Sequence, residues 1–319
     1  MSNFKKELND RFCNYKKIFL QSEPNLFERQ FAPDGRPPVF TRNEAWRNVL
    51  IDPDSRKRET EKLLALIPNG ERHKWFGSMT SSQALAQSVL GNLAIDNSLQ
   101  LLSDLNSDEG LPLLGKARIS SESFSMEHKI DFLDEPRQTS LDGYFSGDYQ
   151  IAIECKFTEP EVGTCSRPGI KPTMSNYDKE LCNGDYSRQR SRIERCSLTK
   201  IGVAYWRYIP SLFKWENNKD LSPCPIKRNY QLVRNILSIG VNPDKTISLN
   251  HGHVILIYDE RNPSCQPGGD IFAAYLETRN ALLETKMLRK ISWQTVVKQM
   301  REKEVLSWLT EQLDCKYGL

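Results

Sequence analysis

The chain has 319 residues, 38% hydrophobic and 27% charged, with 13 Phe, 11 Tyr and 6 Trp. That is enough apolar material for a sizeable core and excludes disorder throughout, while no apolar run approaches the ~20 residues a bilayer-spanning helix needs. The net charge is only +3, yet residues 161–235 hold 14 Lys/Arg against 7 Asp/Glu, so a basic segment sits inside a balanced chain. Such a segment suits a polyanionic partner, the plain alternative being a solvated loop.

The first residues, MSNFKKELNDRF, alternate charges and lack the apolar region of a signal peptide, so a cytoplasmic location is expected. Lys5 to Leu20 carries apolar positions at helical spacing until the Pro-rich APDGRPPVF (32–40) breaks it. Thr41-Arg-Asn-Glu44 predicts a capping box before a helix at 45–50. A second helix is expected at 58–67, ending at Pro68-Asn-Gly70. Residues 1–75 thus read as a helical N-terminal extension. SSQALAQSVLGNL (81–93) places apolar residues at 85, 89 and 93, a helical stripe that leaves Gln83 to one side.

Three strands follow: SFSMEHKI (123–130), TSLDGYF (139–145) and YQIAIECKF (149–157), joined by turns at Asp134-Glu-Pro-Arg137 and Ser146-Gly-Asp148. In the third, alternation sends Ile151, Ile153, Cys155 and Phe157 to one face and Ala152, Glu154 and Lys156 to the other. Residues 160–230 read as a long insertion containing Cys and Arg. A helix is expected at 231–239, a buried strand at 254–260, a helix at 271–284, a short strand at 287–293 and a terminal helix at 293–313. That order predicts an α/β core, 76–319, built on a mixed sheet and interrupted by the insertion.

With the hairpin turning about Gly147, Asp142 faces Ala152 and has Glu154 as its diagonal neighbour on the same face, which Lys156 continues. Two carboxylates and the Cys155 carbonyl form a hard oxygen-donor set suited to Mg²⁺ or Mn²⁺. A metal there could act on a phosphodiester, with Lys156 orienting or deprotonating a water or neutralising charge. Glu-x-Lys occurs three times in the chain, at 127–129, 154–156 and 284–286. Only the second has an apolar strand around it and an Asp one hairpin upstream. An edge strand with a wet polar face explains the same pattern.

LDGYF (141–145) with IAIECKFTE (151–159) resembles the core motif of the PD-(D/E)xK nucleases. Asp142 matches motif II, and Glu154 and Lys156 match motif III. The wider order of SSQA, TSLDGY, ECKFTE, spaced cysteines, YW and YQLVRN resembles a restriction-endonuclease-like family over residues 76–300. The resemblance implies a restriction-endonuclease-like core and a Mg²⁺- or Mn²⁺-dependent DNA endonuclease of restriction or defence type. Double-stranded DNA would be the substrate and a homodimer the means of cutting both strands. It also implies that Gln83 stands where many relatives carry Glu, with Glu127 as a substitute ligand, and that Gln231 touches the scissile phosphate or the lysine, with Arg234 on phosphate. An ordinary exposed polar role is the alternative for each of these outer residues.

Eight cysteines occur, and four of them, Cys165, Cys182, Cys196 and Cys224, fall in the basic insertion. Four soft ligands could hold Zn²⁺ or, as in some relatives of the nuclease fold, an iron–sulfur cluster, but no Cys-x-x-Cys pair exists and free thiols are the alternative. RQRSRIER (188–195), with Arg188, Arg190, Arg192 and Arg195, and YWRY (205–208) suit phosphate contact and base stacking, or the aromatics seal the insertion onto the core. His251-Gly-His253 reads as a turn. No P-loop, Gly-x-Ser-x-Gly elbow or Gly-x-Gly-x-x-Gly is present, so NTP hydrolysis, serine hydrolysis and hydride transfer lack support. Beside the nuclease stand two other readings, a non-catalytic nucleic-acid-binding module on the same fold and an acid-pair sugar hydrolase.

Overall fold

The computed structural model describes residues 3–20, 24–31, 36–136, 138–175, 177, 182–187 and 194–319. At its centre is a five-stranded mixed sheet in the order β1-β2-β3-β4-β5: Phe124–Ile130, Thr139–Phe145, Gln150–Cys155, Gly252–Tyr258 and Leu288–Ser292. The first three strands form an antiparallel meander; β4 and β5 join it in parallel. Every residue of β4, GHVILIY, is buried, as a strand covered on both faces requires.

Ten helices surround the sheet among the described residues: α1 (Asn3–Phe19), α2 (Lys57–Ala65), α3 (Ser82–Ala86), α4 (Asn92–Ile95), α5 (Ser197–Lys200), α6 (Tyr205–Leu212), α7 (Pro225–Gly240), α8 (Asp270–Ala281), α9 (Trp293–Glu302) and α10 (Ser307–Tyr317). A π-helical stretch, Gln87–Gly91, joins α3 to α4. The alternation of β3 divides the core. Ile151, Ile153, Cys155 and Phe157 pack on the side of α1, α3, α9 and α10; Ala152, Val254 and Leu256 pack on the side of α6, α7 and α8. No helix is long and apolar enough to cross a membrane among the described residues.

Several boundaries differ from the sequence pattern. The turn at Arg42–Asn48 is a 3₁₀ helix, and the Thr41 side chain makes no cap bond. The helix expected from 231 starts six residues earlier, inside the insertion, with Pro225 in the first turn, where its missing N–H costs nothing. The terminal helix is two, because Glu304 and Leu306 take left-handed conformations between α9 and α10. In the hairpin, Phe145 pairs with Ile151 and Gly143 with Ile153. The loop is longer than a turn about Gly147, running on to Tyr149, whose hydroxyl bonds His253. Continuing that register by one residue puts Asp142 opposite Glu154 rather than Ala152.

The aromatics of the insertion seal it onto the core. Tyr205, Trp206 and Tyr208 are buried on α6, and Trp206 stacks on Tyr186 with ring centroids 3.5 Å apart. His253 is buried too, bonded to the Leu113 carbonyl at 2.8 Å, and is a core residue.

Candidate active site

The register places three carboxylates at one level of the sheet. Gly143 pairs with Met126 on β1 and with Ile153 on β3, so the next residue, Asp142, lies between Glu127 and Glu154. Neighbouring strands run about 4.8 Å apart, so the three acids form a short row across adjacent strands. Glu127 is the residue of β1 missing from the β1–β2 ladder, and its φ is +49°. A left-handed glutamate inside a strand is strained by about 1–2 kcal/mol and persists only where its surroundings hold it. Here Gln83 on α3 donates to Glu127 Oε1 at 2.5 Å, and Ser140 also bonds the carboxylate.

The row opens into a cleft of about 1370 Å³ whose walls include Glu71, Arg72, Lys129, Glu159, Gln231 and Arg234. Glu154 and Lys156 lie in its buried floor. Glu154 Oε1 faces the Lys156 ammonium at 2.6 Å, with no other donor among the described residues. Its Oε2 accepts from Asn235 on α7 at 2.8 Å. Lys156 Nζ donates to Gln231 Oε1 at 3.1 Å. Asp142 Oδ2 accepts from the Cys155 N–H at 2.7 Å, tying β2 to β3 where the ladder ends. Gln231, Arg234 and Asn235 lie three and four residues apart on α7, which is why one helix face meets the whole strand end.

Electrostatics follow from that crowding. Burial pushes the Asp142 pKa well above the usual carboxylate range, and Glu154 and Glu127 push it further, against the pull of Lys156 and the Cys155 N–H. Glu127 is raised by burial first, eased by Ser140 and Gln83 and opposed by Glu154. Lys156 is pulled down by burial, but Glu154, Glu159 and Asp142 outweigh it and keep it an ammonium. The cleft floor therefore holds more acids than Lys156 alone can keep ionised, and a nearby cation would favour their charged forms. The groups there that could hold a hard cation are oxygens: Asp142, Glu154 and the Cys155 carbonyl. No group of three or more His, Cys, Asp or Glu side chains stands at metal-cage distances among the described residues. Asp142 and Glu154 are thus a pair, with Glu127 as a neighbour.

The other candidates are placed variously. Gln83 is buried at the cleft wall, with its amide nitrogen also on the Glu71 carbonyl and its oxygen accepting from the His73 N–H. Arg234 lines the cleft, over the Tyr230 ring at 5.8 Å, its buried Nε without a partner among the described residues. Arg195 does not reach the cleft; it pairs with Asp220 at 2.8 Å. Arg188, Arg190 and Arg192 lie outside the described residues. Sequence reasoning passed over Asn235, Glu159 and Arg72. Asn235 had a signal, one helical turn beyond Gln231. Arg72, whose Nε is also buried without a partner among the described residues, had none.

A family model described as restriction endonuclease associating with ARP matches residues 14–318. No curated protein matches the chain, and no solved structure does.

Proposed function

The chain belongs to the family described as restriction endonuclease associating with ARP, and from that membership we propose a metal-dependent DNA endonuclease of the PD-(D/E)xK type, acting in restriction or defence. The family makes the chain nuclease-like. The finer reading is supported by one observation: Asp142, Glu154 and Lys156, from two adjoining strands, line one cleft, with Glu154 and Lys156 in contact at 2.6 Å.

In this reading Asp142, Glu154 and the Cys155 carbonyl hold Mg²⁺ or Mn²⁺. The bound ion supplies Lewis-acid polarisation of the phosphoryl group and activation of water. Lys156 has three N–H donors, and two are engaged by Glu154 and Gln231. The third serves the scissile phosphate or the attacking water, so the lysine offsets developing charge and does not remove a proton. Gln231 fixes the ammonium, and Asn235 fixes the Glu154 carboxylate from behind. Arg72 and Arg234, whose side chains line the cleft, contact flanking phosphates. Two copies of the chain would be needed to cut both strands of a duplex at once.

The test is incubation with supercoiled plasmid and with single-stranded DNA in Mg²⁺, Mn²⁺ or EDTA. Nicking or linearisation with either metal, none in EDTA, and none by Asp142→Asn is the expected result. Equal cleavage in EDTA would overturn the reading. A second reading, a DNA-binding module that does not cut, is favoured by the neutral Gln83 where related sites carry an acid. Tight DNA binding with no Mg²⁺ uptake by calorimetry would select it.

A further inference from the structure

The turn from Glu71 to Trp75 is built onto the acid row. Gln83, whose amide nitrogen donates to Glu127 Oε1 at 2.5 Å, also donates to the Glu71 carbonyl at 3.1 Å, and its oxygen accepts from the His73 N–H at 3.0 Å. The His73 ring bonds the Ser81 hydroxyl at 3.0 Å and accepts from the Trp75 N–H at 3.0 Å. An ionised carboxylate at position 83 could make neither donation, so the neutral residue there holds this turn against the cleft wall. Phe76 follows, buried, and the Gly77 carbonyl accepts from the Phe40 N–H at 2.8 Å. The turn is thus pinned at both ends.

What the pinned turn presents is an indole. Trp75 is 47% exposed. Phe31 meets its ring at 78° with centroids 5.6 Å apart, and Lys74 Nζ lies 5.3 Å from its centroid. A single exposed aromatic needs no explanation by itself. This one lies in a groove of about 900 Å³ that also holds Trp46, and whose described lining carries Arg42, Arg72 and Lys74 against one acid, Glu28. Arg72 and His73 line both this groove and the catalytic cleft, so the two adjoin. The guanidinium of Arg47 stands 5.0 Å from the Trp46 ring, giving the second tryptophan a cation too.

Aromatic faces and cations side by side along a groove suit single-stranded nucleic acid, whose bases stack on the rings while its backbone runs past the charges. A duplex, with its bases already stacked on one another, can use the cations alone. We propose that this groove of the N-terminal extension binds unpaired DNA leading away from the cleft. Trp75 and Trp46 are its stacking platforms, and Arg42, Arg72 and Lys74 its phosphate contacts. The choice of DNA as the polyanion rests on the nuclease reading, while the groove itself takes no part in the chemistry. Its effect is a preference for DNA with an unpaired stretch beside the scissile phosphate.

Binding is read by fluorescence anisotropy with the full-length protein and a labelled oligo-dT strand of about 15 nucleotides. The measurement is made in EDTA, so that grip and cutting are separated. Trp75→Ala should weaken binding about tenfold, and Trp75→Phe, which keeps a ring, should restore most of it. Arg42→Ala combined with Lys74→Ala should weaken it as well and lower the salt slope by about 1.4. A duplex of the same length should lose little affinity in Trp75→Ala. Should that variant fail to fold, photocrosslinking of the wild-type chain to an iodouracil-bearing strand keeps the question open to refutation, with adducts expected on Trp75 or Trp46. Unchanged dT binding by folded Trp75→Ala, an equal loss on the duplex, or crosslinks confined to other residues overturns the proposal. A wild-type chain that grips the strand through Trp75 yet cuts nothing in Mg²⁺ would sink the nuclease reading and leave this surface standing.

Discussion

Two buried lysines, one in the cleft and one at the seam between the chain termini, meet opposite fates. Lys156 is 7% exposed and Lys316 fully buried. Burial pulls both pKa values down. At Lys156 three carboxylates, Glu154, Glu159 and Asp142, reverse the effect and the group stays charged. At Lys316 the hydrogen-bond partners among the described residues are the Asn48 carbonyl at 2.6 Å and its Oδ1 at 2.9 Å, with the rings of Tyr15 and Tyr317 nearby, and burial takes the amine to about 7. The same residue type at the same depth is thus a permanent cation in one place and, in the other, a hydrogen-bond donor that loses its proton near neutral pH. What decides is the number of acids within reach. A surplus of acids marks the cleft as a place for cations, while the amide partners mark the seam as a structural lock holding α10 to the turn at Asn48.

The largest effect should be on chemistry and should fall on one lysine alone. Lys156→Ala and Asp142→Ala are each expected to slow plasmid cleavage by about 10³-fold or more, as loss of a transition-state charge partner does. Lys316→Met should leave the cleavage rate of the folded protein unchanged. Initial rates of supercoiled-plasmid nicking give the comparison. Comparable losses in both regions would erase the distinction.

Stability should separate them next. Lys156→Met leaves Glu154 buried beside no cation, which costs about 3–5 kcal/mol. Lys316→Met removes a buried amine from two amide oxygens and should cost about 1–3 kcal/mol. Urea unfolding of the metal-free proteins, compared at equal m-values, measures both.

The seam also carries a pH signature. The Lys316 amine has its folded pKa lowered from 10.5 to about 7. Between those values the unfolded chain binds a proton that the native one does not, so this group makes stability rise with pH. The slope is about 1.4 kcal/mol per pH unit above pH 7, and it vanishes below, where both states are protonated. Unfolding free energies between pH 7 and 8.5 should show this rise in the wild-type protein and not in Lys316→Met. A slope that survives the substitution would assign it to other groups.

How much of this was legible in the sequence differs by region, for physical reasons. The period-2 pattern of residues 149–157 sorted every β3 side chain to its observed face, because one apolar face and one mixed face leave no second solution. It also singled out Asp142, Glu154 and Lys156, which share the cleft. The hairpin register was not legible, since Gly147 tolerates several turns and the contact that selects one, Tyr149 to His253, spans 104 residues. Lys316 reads as an ordinary helix-end lysine, and only a partner 268 residues away makes it buried. Of the residues around the acids, Asn235 could be found by helical spacing from Gln231, whereas Arg72 arrives from a loop with no periodicity to read.

The smallest expected effect probes how tightly the cleft lysine is held. Gly163 has a φ of +112° and lies against α7, and a Cβ there would stand 2.5 Å from Gln231 Oε1. That oxygen is the one accepting from Lys156. Gly163→Ala therefore strains the backbone by about 1 kcal/mol and turns the Gln231 amide away from the ammonium. Cleavage should fall about tenfold with the fold retained, and Gln231→Ala should fall by a similar factor. Combined, the two changes should cost little more than either alone, because both act through one hydrogen bond. Full additivity in the double variant would mean that Gly163 shapes the cleft by some route other than the Gln231–Lys156 contact.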